Sequence, residues 1–76
     1  MRIHMKYFGV LKQKTGKQEE YVEGDITTVD DVKRFLEDTY GLNVGVLVAI
    51  NRRMVFATET LSEHDEVAVF PPVVGG

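Results

Sequence analysis

The residues with the most distinctive chemistry in this 76-residue chain stand at its end, where Phe70-Pro71-Pro72-Val73-Val74-Gly75-Gly76 closes the sequence. Gly-Gly alone is weak evidence, since average glycine usage of about 7% produces it by chance in roughly one chain in 200. Its setting is more telling. Pro71 and Pro72 cannot continue a central strand and favour a stiff, extended segment. From Pro71 to Gly76, at about 3.3 Å per residue, the tail reaches about 20 Å, enough to thread a narrow channel. Gly75 and Gly76 have no Cβ, so the last carbonyl is open to approach from either side. The chemistry on offer is acyl transfer from a terminal carboxylate. A free carboxylate is a poor acyl donor because its charge repels nucleophiles and oxide leaves badly, so it requires prior activation.

The rest of the chain offers no competing reactive centre. There is no cysteine, hence no disulfide framework, thiolate metal site or cysteine nucleophile, and any sulfur chemistry must use borrowed sulfur. His4 and His64 are expected on the surface, in separate elements with no ligand spacing. Glu19-Glu20 and Asp30-Asp31 read as solvated or capping carboxylates, and no phosphate-binding glycine loop or serine nucleophile motif is present. The net charge of -3 and the scattered basic pairs Lys33-Arg34 and Arg52-Arg53 argue against a nucleic-acid partner. No apolar run approaches the roughly 18 residues of a membrane span, and the opening MRIHMKYF reads as a strand rather than a secretory signal, so a cytoplasmic protein is expected.

The elements that must position the tail follow from periodicity. Ile3, Met5 and Tyr7 alternate with Arg2, His4 and Lys6, a half-buried strand whose polar face also receives Phe8. After a turn at Gly16, Lys17 to Glu23 is a second strand. Thr28 caps a helix with acidic residues in its first turn, carried by Val29, Val32, Phe35, Leu36 and Tyr40 and closed by Gly41. Val46 to Ile50 is apolar on both faces, as a central strand is, and Asn51-Arg52-Arg53 turns into a short strand over Met54 to Phe56. Leu61 to Asp65 is a connecting turn, and Glu66 to Phe70 alternates again. One helix across one face of a mixed sheet, with the first and last strands adjacent, is the simplest packing: an α+β fold of the β-grasp, ubiquitin-like type over residues 1-70, with 71-76 as a flexible tail. The sheet face away from the helix then carries His4, Lys6, Phe8, Ala68 and Phe70, an unusual place for two phenylalanines unless a partner covers them.

The segment Asp65-Glu66-Val67-Ala68-Val69-Phe70-Pro71-Pro72-Val73-Val74-Gly75-Gly76 resembles the ending of the molybdopterin synthase small-subunit family, ubiquitin-like sulfur carriers, and the likeness extends through Tyr7-Phe8, Thr28-Val29 and Ala49-Ile50-Asn51. Two positions depart from the family pattern: Val74, where Ser or Ala is commoner, and His64, where a Gly usually precedes the Asp-Glu pair. The resemblance implies that a ubiquitin-activating-type adenylyltransferase uses ATP to convert the Gly76 carboxylate into an acyl-adenylate, from which a sulfur donor displaces AMP. The resulting thiocarboxylate enters the large subunit of molybdopterin synthase and gives its sulfur to cyclic pyranopterin monophosphate, in a molybdenum or tungsten pathway. It implies no cofactor on this chain, no enzyme activity of the chain alone, and an apolar docking patch at Phe8, Met54 and Phe70, with Pro71, Pro72, Val73 and Val74 held by the partner. A thiamine-pathway sulfur carrier, and a ubiquitin-like modifier forming isopeptide bonds through Gly76, are the alternatives.

Overall fold

The computed structural model describes residues 1–42, 45–56 and 58–72. Seven elements follow in order: β1 (Arg2–Tyr7), α1 (Leu11–Thr15), β2 (Glu19–Glu23), α2 (Val29–Tyr40), β3 (Leu47–Ile50), β4 (Arg53–Met54) and β5 (Glu66–Phe70). They form one mixed sheet of order β2-β1-β5-β3-β4, in which β1 and β5 run parallel at the centre and the other pairs are antiparallel. The expected β-grasp arrangement is therefore observed.

The alternation in β1 and β5 decides what is buried. Ile3, Met5 and Tyr7 of β1 meet Val67 and Val69 of β5 and Val48 and Ile50 of β3 under α2, which contributes Val29, Val32 and Leu36. All ten are at most 6% exposed, so the inner face is a dry apolar layer. Burying a side chain of this size contributes roughly 1.5–3 kcal/mol, the main driving force available to so short a chain.

Helix α2 starts where the sequence indicates. Thr28 accepts from the Asp31 amide while the Asp31 carboxylate accepts from Thr28 in return, a reciprocal capping box. Asp31 also accepts from the Thr27 amide and hydroxyl, and these bonds hold its carboxyl below the usual range. Gly41, at φ 67°, ends the helix in the left-handed region.

The structure departs from the sequence reading in four places. Leu11–Thr15 forms a short helix where only a turn at Gly16 is expected; it buries Leu11 and Thr15 on one side and is closed by Gly16 at φ 73°. The second strand begins at Glu19, and the third at Leu47. The fourth is only Arg53–Met54, so Phe56 lies outside the strand assigned to it. The β3–β4 connection is two residues, Asn51 and Arg52, both at positive φ, as the twist of a tight hairpin demands.

Candidate functional site

Phe70 is the last residue of β5, and the stem of the tail begins at the next residue. The sheet face opposite α2 is therefore the surface next to whatever receives the tail. The register divides that face into rows. At the tail end, Tyr7 pairs with Val69 and Leu47 with Phe70. One further step along β1 brings Phe8 beside Phe70, and their rings stack at 4.7 Å and 14°. The Phe8 amide donates to the Val69 carbonyl at 3.1 Å, fixing this corner. The next row is Lys6, Ala68, Ala49 and Met54.

Phe8, Met54 and Phe70 thus share one face, as the sequence and the resemblance together lead one to expect. Phe8 remains 37% exposed and Met54 57% exposed, while Phe70 is half-buried against Phe8. Leu47, 39% exposed beside Phe70, belongs to the same patch. Sequence reasoning passed over it because β3 is apolar at every position, so nothing in its composition separates an outward Leu47 from an inward Val48. Only pairing with β5 makes that distinction.

Farther from the tail the same face turns polar. His4 stacks on Tyr21 at 4.5 Å and its Nε2 lies 2.6 Å from the Glu19 carboxylate, while the Arg2 guanidinium sits 4.7 Å above the Tyr21 ring. His4 is consequently half-buried in a side-chain stack rather than simply solvated, and His64 is exposed. Lys6 lies 3.7 Å from Glu66, and the Asn51 side chain both donates to Asp65 and accepts from the Glu66 amide. Each of these side chains thus stacks on or pairs with another of the chain.

The stem is seated as well. Pro71 lies against Gly9, which has φ 60°; a Cβ there would stand 3.1 Å from the Pro71 Cγ. Pro71 is half-buried and Pro72 exposed. Val73, Val74, Gly75 and Gly76 lie outside the described residues.

A second polar cluster sits at the margin of the core, running from the buried Tyr7 to the exposed Lys17, and serves the architecture. Tyr7 and Tyr40 both donate to Glu20 at 2.5 Å, and Lys17 donates to Glu20 at 3.1 Å and to the Tyr40 hydroxyl at 3.0 Å. Burial raises the Tyr7 phenol well above its ordinary value, and the hydrogen bond to Glu20 adds to the shift. For Glu20, burial opposes ionisation, but the bonds from Tyr40, Tyr7 and Lys17 outweigh it and hold the carboxyl below the usual range. The Lys17 ammonium is raised through its bonds to Tyr40 and Glu20. These groups join β1, β2 and α2 and face away from the patch. Among the described residues, no group of three or more His, Cys, Asp or Glu could hold a metal ion, and no helix is long and apolar enough to cross a membrane.

Known proteins place this arrangement in context. The sequence pattern of the ThiS family matches residues 5–76. The molybdopterin synthase sulfur carrier subunit of Escherichia coli (strain K12) is 30% identical over 80 aligned positions, spanning 97% of this chain and 99% of that protein. Small archaeal modifier protein 1 of Haloferax volcanii superposes with a TM-score of 0.81 at 26% identity, covering 100% of both chains. A molybdopterin-converting factor from Helicobacter pylori 26695, solved as a complex of its subunits 1 and 2, matches with a TM-score of 0.70 and 100% coverage of both chains; at 21% identity this is a likeness of fold alone.

Proposed function

The chain belongs to the ThiS family, and from that premise we propose that it is the sulfur carrier of a molybdopterin synthase, working through the carboxylate of Gly76. The observation that carries this reading is its 30% identity, over 97% of its length, with a protein named as such a carrier. The apolar row at the foot of the tail supports it, because a carrier must dock as well as react. Phe8 and Phe70 flank the point where the stem leaves, and Met54 stands one row away, so a protein that engulfs the tail comes to rest on them.

The reaction proceeds in balanced steps. One Gly76 carboxylate oxygen attacks the α-phosphate of ATP on an activating adenylyltransferase, and pyrophosphate leaves. Sulfide-level sulfur, supplied as hydrosulfide, then attacks the acyl carbon, AMP leaves with the bonding electrons of the acyl–phosphate linkage, a proton is released, and a thiocarboxylate remains. Within the large subunit, the thiocarboxylate sulfur bonds to a carbon of cyclic pyranopterin monophosphate as an oxygen leaves that carbon, and water then attacks the acyl carbon so that the acyl–sulfur bond breaks, the sulfur stays on the substrate and the carboxylate is restored, two carriers being spent per dithiolene. This chain contributes the reacting atom, a slender approach through Gly75 and Gly76, and the docking face; ATP belongs to the activating enzyme.

A second reading is favoured by the likeness to the archaeal modifier: the same activated carbonyl captured by a lysine amine instead of sulfur. Intact-mass analysis of the protein from its native host tests both. A mass gain equal to exchanging one oxygen for sulfur at Gly76 is expected, whereas Gly-Gly remnants on lysines of other proteins, with no sulfur-bearing form, would replace the carrier reading by the modifier one.

A further inference from the structure

Phe56 is the most exposed large apolar side chain of the described residues, at 84%. Its backbone is not loose. The preceding Val55 packs against the core and donates from its amide to the Val48 carbonyl at 3.2 Å, and the Phe56 carbonyl accepts from the Glu59 amide at 3.0 Å. The ring is thus held in water by an anchored chain.

Register shows where. Ile50 pairs with Arg53 and Ala49 with Met54, and the Val55–Val48 bond continues the same count. One step more sets Phe56 opposite Leu47, and alternation puts it on the outer face with Met54, since Val55 faces inward. Leu47 in turn pairs with Phe70, beside which Phe8 is stacked. Phe8, Phe70 and Leu47 therefore form one row across the sheet, and Phe56, just past the end of β4, extends its line to about 14 Å at the usual strand spacing.

We propose that Leu47 and Phe56 complete the docking row begun by Phe8 and Phe70, so that the protein accepting the tail carries an apolar surface reaching from β1 to the far edge at β4. This rests on the carrier reading above and specifies its partner. The occupant follows from position: Pro71 leaves the sheet at this row, so a protein enclosing the residues beyond it lies over the row, and no charged side chain in the row opposes an apolar cover. Phe56 stands at the far end and selects among partners, because a receiving surface that stops at β3 leaves it in water.

The test titrates the full chain and its variants Phe8→Ala, Leu47→Ser and Phe56→Ser into the molybdopterin synthase large subunit of the same organism, with unfolding midpoints and sedimentation of each free chain. Expected are a monomeric free chain, a Kd raised about tenfold or more by Phe56→Ser and by Leu47→Ser, and a midpoint for Phe56→Ser within about 2 °C of the parent. If Phe8→Ala weakens binding while Phe56→Ser and Leu47→Ser leave Kd within about twofold, the extended row is wrong and the carrier reading stands. A free chain that dimerises until Phe56 is replaced would assign the row to a second copy and overturn the proposal. Failure of the parent chain to bind the large subunit removes the carrier reading itself, and this inference with it.

Discussion

The two ends of the outer sheet face are built on the same strands and yet solve opposite problems. At the end remote from the tail, Arg2, His4, Tyr21, Glu19 and Glu66 stack and pair among themselves and draw in Lys6 from the row it shares with Met54. At the tail end, Phe8 and Phe70 have each other, and Leu47 and Met54 are left substantially in water. Exposed ion pairs of the first kind contribute only about 0–1 kcal/mol each, but they leave no polar group wanting a partner. The apolar end keeps its unrealised burial energy for an encounter. The difference teaches that a sheet face should be read row by row: its average polarity hides a surface divided along the strands.

The most drastic way to break the comparison leaves both ends intact. Deleting Gly76, or adding one residue after it, is expected to reduce sulfur transfer to background in a reconstituted assay while the unfolding midpoint stays unchanged, because the reacting carbonyl is removed and the sheet is not. Transfer that survives the deletion would show that the tail carbonyl is not the reacting atom.

Next in size, Phe70→Asp should raise the Kd for the large subunit about 100-fold, since it forfeits a burial of roughly 1.5–3 kcal/mol and places a charge in the apolar row. Stability should fall by less, which parallel denaturant titrations would check. A large loss of stability with unchanged affinity would make the ring part of the core.

The Glu20 cluster supplies an effect of about 1–3 kcal/mol on stability alone. Glu20→Gln exchanges a carboxylate accepting from two tyrosines and a lysine for a neutral amide. Because the folded carboxyl titrates below its ordinary value, the unfolded chain binds the extra proton between the two, and stability rises with pH across that interval. The contribution is therefore complete above the ordinary carboxylate pKa of about 4.3 and is lost as acid passes the lowered one. Tyr7 acts at the other limit: its raised folded pKa means stability falls as pH climbs past about 10, where the unfolded phenol ionises. Urea titrations across pH should show a shallower acid limb in Glu20→Gln than in the parent.

The smallest effects sharpen the contrast. His4→Ala, at the polar end, should leave the Kd for the large subunit within about twofold and cost at most about 1 kcal/mol. His64→Gly should add stability of the order of 1 kcal/mol, because His64 holds φ 68°, a conformation that glycine adopts without strain.

That last position shows how much the sequence discloses. His64 ahead of Asp65-Glu66 is visible in the one-dimensional pattern, but its left-handed backbone appears only in the fold. The alternation of Arg2–Tyr7 and Glu66–Phe70 suffices to place Phe8 and Phe70 on one face, because a strand has period two and both segments obey it. The caps at Thr28 and Gly41 suffice to bound α2. What periodicity does not reach is registration between strands, so Leu47 becomes a neighbour of Phe70 only after β3 is paired with β5. Leu11–Thr15 is too short for a helical repeat to show, offering a single i,i+4 pair of buried residues. The meeting of Glu20 with Tyr7 and Tyr40 depends on packing α2 against β1 and β2, for which no local signal exists.

The order of strands also has a consequence for timing. β5 is the last strand in the sequence yet lies at the centre of the sheet, between β1 and β3. Until it arrives, β2-β1 and β3-β4 are two separate hairpins with no ladder between them, and joining them demands contacts between the most distant parts of the chain. Such a nascent chain waits, because long loops must close before any non-local pairing rewards them. The row around Phe8 and Phe70 does not exist before that closure, since its two rings come from the first strand region and the last. A partner therefore meets nothing it recognises until β5 has entered the sheet between β1 and β3, so that closure of the sheet and competence to dock become a single event.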